Sequence, residues 1–277
     1  MTVSELLILG AAGLFAGILA GFLGIGGGTV LVPLLVALKY APVEAVATSG
    51  LSIVITALSG SIQNWRMGYL NLSKVAGIGF PAVITAQIGA YLTGIFPPYL
   101  LLVSFGLLLW LNIYLIEVRK RLTAQKAEEE DRKESSSITN SQLPIPNSNI
   151  LFNPTFAKIA TGSAAGLLAG LFGVGGGVIM VPLQILLLGE SIKKAIQTSL
   201  GVIVITAISA TAGHAARGNV LWVVGLILGG GGLLGAQIST RFLPRLSDRT
   251  ISLAFRSLLA ILSIYVFWQA WQKFSNG

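Results

Sequence analysis

The sequence predicts an all-α integral membrane protein made of two homologous repeats, each opening with a glycine-broken first helix and continuing through three spans. Composition is the first reason. Of 277 residues 54% are hydrophobic, only 10% are charged, and the mean hydropathy is +0.82, a balance that belongs to chains dissolved in lipid. The second reason is segmentation: apolar runs occur at about 6–38, 45–63, 75–95 and 99–116, then at 156–188, 195–213, 219–240 and 251–271. The third is repetition. GFLGIGGGTVLVPL at 21–34 returns as GLFGVGGGVIMVPL at 170–183, an offset of 149 that keeps the triple glycine and the pair Pro33 and Pro182 in register.

The register continues with an offset of 150: Thr48-Ser49 matches Thr198-Ser199, VITA at 54–57 matches 204–207, Gly68 matches Gly218, and AQI at 86–88 matches 236–238. Repeat 1 therefore occupies 1–116 and repeat 2 occupies 156–277, with a charged linker at 117–155. The linker is rich in charge, Ser, Asn and Pro. Its first part is expected to extend the fourth span as a short helix and the rest to be disordered. The opening MTVSELLILG has no basic region and no small-residue cleavage site, so it reads as the first span and not as a removable signal.

The first run of each repeat is too long for one crossing. Residues 6–38 are 33 positions without a charge, which as a single helix would reach about 50 Å against a hydrocarbon thickness of about 30 Å. Gly24, Gly26, Gly27 and Gly28 lie within it, and together they oppose a continuous helix by about 3–4 kcal/mol. A break is expected there and at Gly173, Gly175, Gly176 and Gly177. In lipid such a break is tolerated only where protein or a watery cavity surrounds the freed backbone groups.

Basic residues discriminate between a run that crosses once and one that turns back. A single crossing distributes them 11 to 6, whereas turning back places 14 on one side against Lys39, Arg217 and Lys273 on the other. The stronger asymmetry favours turning back, inverted repeats and a cytoplasmic linker. The same rule accounts for the net charge of +8, so no nucleic-acid partner is expected. Absence of cysteine excludes disulfides, thiolate catalysis and Cys-ligated metals. No acidic pair or nucleophile–base pair falls within a span, and neither glycine run fits G-x-G-x-x-G, so no enzyme activity, metal or cofactor is expected.

Consecutive backbone N–H groups beside a helix start form a donor cluster suited to an anion. The candidate substrate-binding residues are thus Gly26, Gly27, Gly28 and Thr29 with Gly175, Gly176 and Gly177, joined by the hydroxyl pairs Thr48-Ser49 and Thr198-Ser199 near the start of the next helix. Close helix packing explains the glycines as an alternative, and capping explains the hydroxyls. Asn64 and His214, matched at the far end of that helix, and Gln87 and Gln237, matched within apolar helices, are candidates for a proton or substrate relay. Backbone or interhelical hydrogen bonding is the competing reading of all four. Arg256 is expected to snorkel, and Trp65, Trp110, Trp222, Trp268 and Trp271 to anchor span ends.

The duplicated glycine motif, each copy followed by a Thr-Ser pair and later by AQI, resembles the TauE/SafE family of sulfite exporters, also called TSUP, over both halves but not the linker. The resemblance implies a multi-pass permease of the bacterial inner membrane type that moves sulfur-containing anions such as sulfite, sulfonates or sulfoacetate, usually outward and coupled to an ion gradient. The partners it implies are a small anionic substrate, the lipid bilayer, a coupling proton or sodium ion, and a homo-oligomer as a further candidate. A channel or a non-transporting subunit of a partner complex is the alternative.

Overall fold

A computed structural model describes residues 3–111, 113–114 and 153–275. The described residues form ten α-helices and one 3₁₀ turn, without strands. In the first half these are α1 (Val3–Leu23), α2 (Gly28–Ala37), α3 (Pro42–Arg66), α4 (Leu72–Thr93) and α5 (Pro98–Leu111). In the second they are α6 (Pro154–Phe172), α7 (Gly177–Leu188), α8 (Ile192–Ala215), α9 (Trp222–Phe242) and α10 (Asp248–Ser275), with the 3₁₀ turn at Leu243–Arg245. Seven helices are long and apolar enough to cross a membrane, while α2, α5 and α7 are shorter apolar helices. The expected helical extension of the fourth span and most of the linker lie outside the described residues.

Helix starts follow local chemistry. Pro42 opens α3, where a missing N–H costs nothing, and the Ala41 amide donates to Glu44 Oε2 at 3.3 Å. Asn71 caps α4 by accepting from Lys74 N at 3.0 Å, and Asn153 caps α6 by accepting from Thr155 N at 3.0 Å. Both α3, opened by Pro42, and α8, with Ser191 as its N-cap, begin several residues before the hydroxyl pairs. Thr48-Ser49 and Thr198-Ser199 lie inside helices beginning at Pro42 and Ile192, so the expectation that they begin the helix is corrected, and the capping alternative falls with it.

Two small-residue seams hold the bundle together. On α1, Gly13, Gly17 and Gly21 lie one turn apart, and a Cβ at these positions would fall on the Leu228 carbonyl, on Gly232 and on Ser239 of α9. On α6, Gly162, Gly166 and Gly170 meet the carbonyls of Ile78, Ala82 and Ala86 of α4 in the same way. Without hydrocarbon–water contrast between neighbours, helices in lipid associate through such close backbone approach. In both seams sequence numbers rise together, so α1 runs parallel to α9 and α6 parallel to α4. Leu51, Ile55 and Thr56 of α3 likewise meet Gly225, Gly229 and Gly232 of α9 in ascending order. Gly50 and Gly60 of α3 meet Thr211 and Leu200 of α8 in descending order, so α3 and α8, which match in sequence, run in opposite senses.

The two ends of the bundle differ in charge. At one end Lys74 pairs with Glu190 and Lys193 Nζ donates to Pro244 O at 3.2 Å. At the other end Arg217 lies over the Tyr91 ring at 5.4 Å, and Lys39 shares a cavity with Tyr99 and Trp268. α3, with 25 residues, carries the chain from the Lys39 end to the Lys74 end, about 37 Å at helical rise. This grouping of basic residues matches the one expected if each glycine run turns back.

Candidate substrate site at the crossed helix breaks

Both first helices break where the glycines predict. Gly24, Gly26 and Gly27 have φ of 67°, 76° and 79°, and Gly173, Gly175 and Gly176 have 62°, 71° and 78°, values that a side chain bearing a Cβ resists. The chain then reverses. A Cβ on Gly27 would touch the Ala16 carbonyl of α1, and one on Gly176 would touch the Ala165 carbonyl of α6, so each short helix sets out alongside the long one that precedes it.

The two reversals pack on each other. Gly28 sits against the carbonyl of Gly173, and Gly177 against the carbonyl of Gly24. Ile53 and Ile203, both fully buried, cover Gly26 and Gly175. Ile53 is 11 residues beyond Pro42 and 13 before Arg66, about 17 and 20 Å along α3, which sets the crossing near mid-depth. Two helix N-termini therefore meet there from opposite directions. In α2 the first backbone bonds run from Val30 and Leu31 to Gly27 O at 3.1 and 3.2 Å, leaving the Gly28 and Thr29 amides without an intrahelical acceptor. Thr29 Oγ1 beside them is buried without a hydrogen-bond partner. Position 178, which matches Thr29, is valine.

Each half fastens the other's break. Ser49 Oγ donates to Gly173 O at 2.8 Å, and Ser199 Oγ donates to Gly24 O at 3.0 Å. A buried carbonyl freed by a helix break needs a donor, and the Thr-Ser pairs supply it across the halves. Thr206 Oγ1 adds a bond to Gly175 O at 3.0 Å, whereas its match Thr56 turns to Ser52 O at 2.9 Å.

The threonines of the pairs differ from each other. Thr48 is fully buried, and its Oγ1 accepts the Leu221 N–H at 3.1 Å beside the apolar cluster of Ala47, Leu51 and Val220. Thr198 lines an open cavity of 830 Å³ at the opposite end. Thr48 is thus sealed off at the Arg217 end, where a separate cavity of 1250 Å³ lies beside Lys39 and Tyr99, while Thr198 opens to a vestibule at the Lys74 end.

Three of the four relay candidates make hydrogen bonds, to Gly170, Ser209 and Ser59. His214 is 1% exposed, and its Nε2 lies 2.9 Å from Gly170 O, tying α8 to the end of α6. Asn64, its match, is buried with both amide atoms unpartnered. Gln87 Nε2 donates to Ser209 O at 2.6 Å, and Gln237 Nε2 donates to Ser59 O at 3.3 Å, both interhelical bonds. Sequence reasoning passed over Gln197, Glu190 and Lys194 around the vestibule. The signal available was Gln197 directly before Thr198, where repeat 1 has Ala47 before Thr48.

A bundle of apolar helices whose two broken helices cross at mid-depth defines a multi-pass membrane transporter, and comparison with known proteins gives the same class. A profile described as Sulfite exporter TauE/SafE matches residues 9–266, and the chain belongs to that family. It is similar to the probable membrane transporter protein YunE of Bacillus subtilis, 28% identical over 95% of this chain and 97% of the relative. A probable membrane transporter protein of Xylella fastidiosa is 26% identical over 98% of each chain. One from Methanocaldococcus jannaschii is 23% identical over 92% of each. No solved structure matches the chain significantly.

Proposed function

We propose that this transporter moves a small sulfur-containing anion, of the sulfite, sulfonate or sulfoacetate type, out of the cell by alternating access driven by a proton or sodium gradient. The carrying observation is the meeting of two helix N-termini, with the unpartnered Thr29 hydroxyl, at mid-depth. Paired N-termini present positive dipole ends and orphan amides to an anion without burying a full positive charge. The glycines serve the approach, because a Cβ would close the distance between the two breaks. The same reading puts the linker and the basic end in the cytoplasm, and gives the vestibule beside Thr198 as the side from which the exported anion enters.

In this conformation the site is closed: the break residues are buried and Ile53 and Ile203 cover them. Admission of an anion requires the two halves to shift at the crossing, which inverted repeats allow by exchanging the conformations of their halves. The test is flux of labelled sulfite in proteoliposomes containing the protein alone, compared with a Thr29→Val variant. Valine is what repeat 2 carries at this position, so the fold accommodates it. Saturable flux reduced at least about tenfold, by loss of a charge-assisted hydrogen bond worth about 1.5–3 kcal/mol, supports the assignment. Undiminished flux in a folded variant makes Thr29 a packing residue and moves the site elsewhere.

A further inference from the structure

The vestibule at the basic end holds a group of donors that the crossing does not use. Lys194, Gln197 and Thr198 are spaced i, i+3 and i+4 in the first turns of α8, and so share one face of it. Gln197 and Thr198 are 6% and 4% exposed, line the cavity, and have no hydrogen-bond partner among the described residues. Their polar atoms open onto the cavity, where water or a polar ligand meets them.

Charge around them is divided unequally. Lys74 is engaged by Glu190, and Lys193 donates to Pro244 O. Lys194 is exposed at the mouth. Three lysines and one glutamate line the cavity. Farther in, Leu70 and Val75 pack onto Gly201 and end the polar face. At the sealed end the matching positions carry no such set: Glu44 stands for Lys194, Ala47 for Gln197, and Thr48 is already bonded to the Leu221 amide.

We propose that Lys194, Gln197 and Thr198 form a second anion subsite, in which a small oxyanion is held and partly stripped of water before it passes Leu70 and Val75 to the crossed breaks. The proposal rests on reading the chain as an anion permease. Lys194 supplies attraction from solvent, while the Gln197 amide and the Thr198 hydroxyl replace water on the anion's oxygens. Because repeat 1 lacks these donors, the subsite loads from the linker end only.

The test uses the full chain in detergent, titrated calorimetrically with sodium sulfite, sodium sulfate and methanesulfonate. The variants are Lys194→Gln, Gln197→Ala, which copies repeat 1, and Lys39→Gln at the opposite end as a control. The expected result is a dissociation constant raised about fivefold by each vestibule change, the size of one charge or one solvated hydrogen bond, and unmoved by Lys39→Gln. Sulfite flux in proteoliposomes is measured in parallel. If binding weakens as described while the wild type transports nothing, the subsite stands and the permease reading falls. Binding equal in all variants that elute and melt like wild type overturns the subsite, as does a wild type that binds none of the three anions.

Discussion

The bond from the Leu221 amide to Thr48 Oγ1 offers the most direct test of the proposed alternating cycle. It joins the N-cap of α9 to α3 at 3.1 Å and closes over Thr48 at the Arg217 end. Thr48→Ala removes the acceptor and leaves that amide unpaired whenever this end is closed. A fully buried orphan amide costs about 1–3 kcal/mol, but Leu221 is only partly buried, so the low end, about 1 kcal/mol, applies. An open state is then populated about fivefold more. Thr48→Ser loses the same methyl and keeps the oxygen, and the ratio of the two variants isolates the hydrogen bond. The chain has no cysteine, so a single Ala47→Cys reporter, buried in the closed cluster, can be labelled in an unmodified background. With a membrane-impermeant maleimide added from the Arg217 side, the labelling rate should be about fivefold higher with Thr48→Ala than with Thr48→Ser. Equal rates in the two backgrounds would refute the sealing role of this bond.

Two further outcomes follow from packing. Gly28→Ala and Gly177→Ala each drive a methyl onto a carbonyl of the opposite break and should cost about 3 kcal/mol or more, whereas Gly10→Ala, with nothing within 4 Å of the added carbon, should gain about 0.5–1 kcal/mol. Melting in detergent separates the two classes, and tolerance of alanine at both break positions would contradict the close crossing. His214→Gln should lower stability by about 1 kcal/mol through loss of the Gly170 bond and leave the pH profile of flux where it was; a displaced profile would restore the histidine as a proton relay.

The architecture was legible because membrane solvation leaves few alternatives. Runs of uncharged residues can only be helices in lipid, and the 33-residue first run exceeds one crossing by length alone. The distribution of lysine and arginine then separated the two ends. The pairing of helices was not legible: α1 meets α9 across more than half the chain and α6 meets α4 across the linker, and nothing in an apolar pattern specifies a partner. The spacing of Gly13, Gly17 and Gly21 fits close helix packing, but it does not name the partner helix. At the site, glycine breaks and Thr-Ser pairs were found by repetition, and their relation was not. A serine matched at positions 49 and 199 reads equally as a cap or a ligand contact until the fold sets each against the opposite break.

That exchange of serines bears on how a duplicated protein can have a direction. If both halves were chemically identical about the crossing, the two ends would be equivalent, and no intrinsic preference for loading from one side could arise. The framework is nearly so: each break is fastened by the other half's serine, and each is covered by the same pair of isoleucines. Differences are confined to a few polar positions. Thr29 faces a repeat with Val178, Gln197 one with Ala47, Lys194 one with Glu44, and Thr206 holds a break carbonyl that Thr56 does not. Because the serine bonds tie each break to the other half, a shift of one half has to remake contacts in both. On the alternating-access proposal, coupling between the halves would reside in what the two sequence copies share, and polarity in the side chains by which they differ.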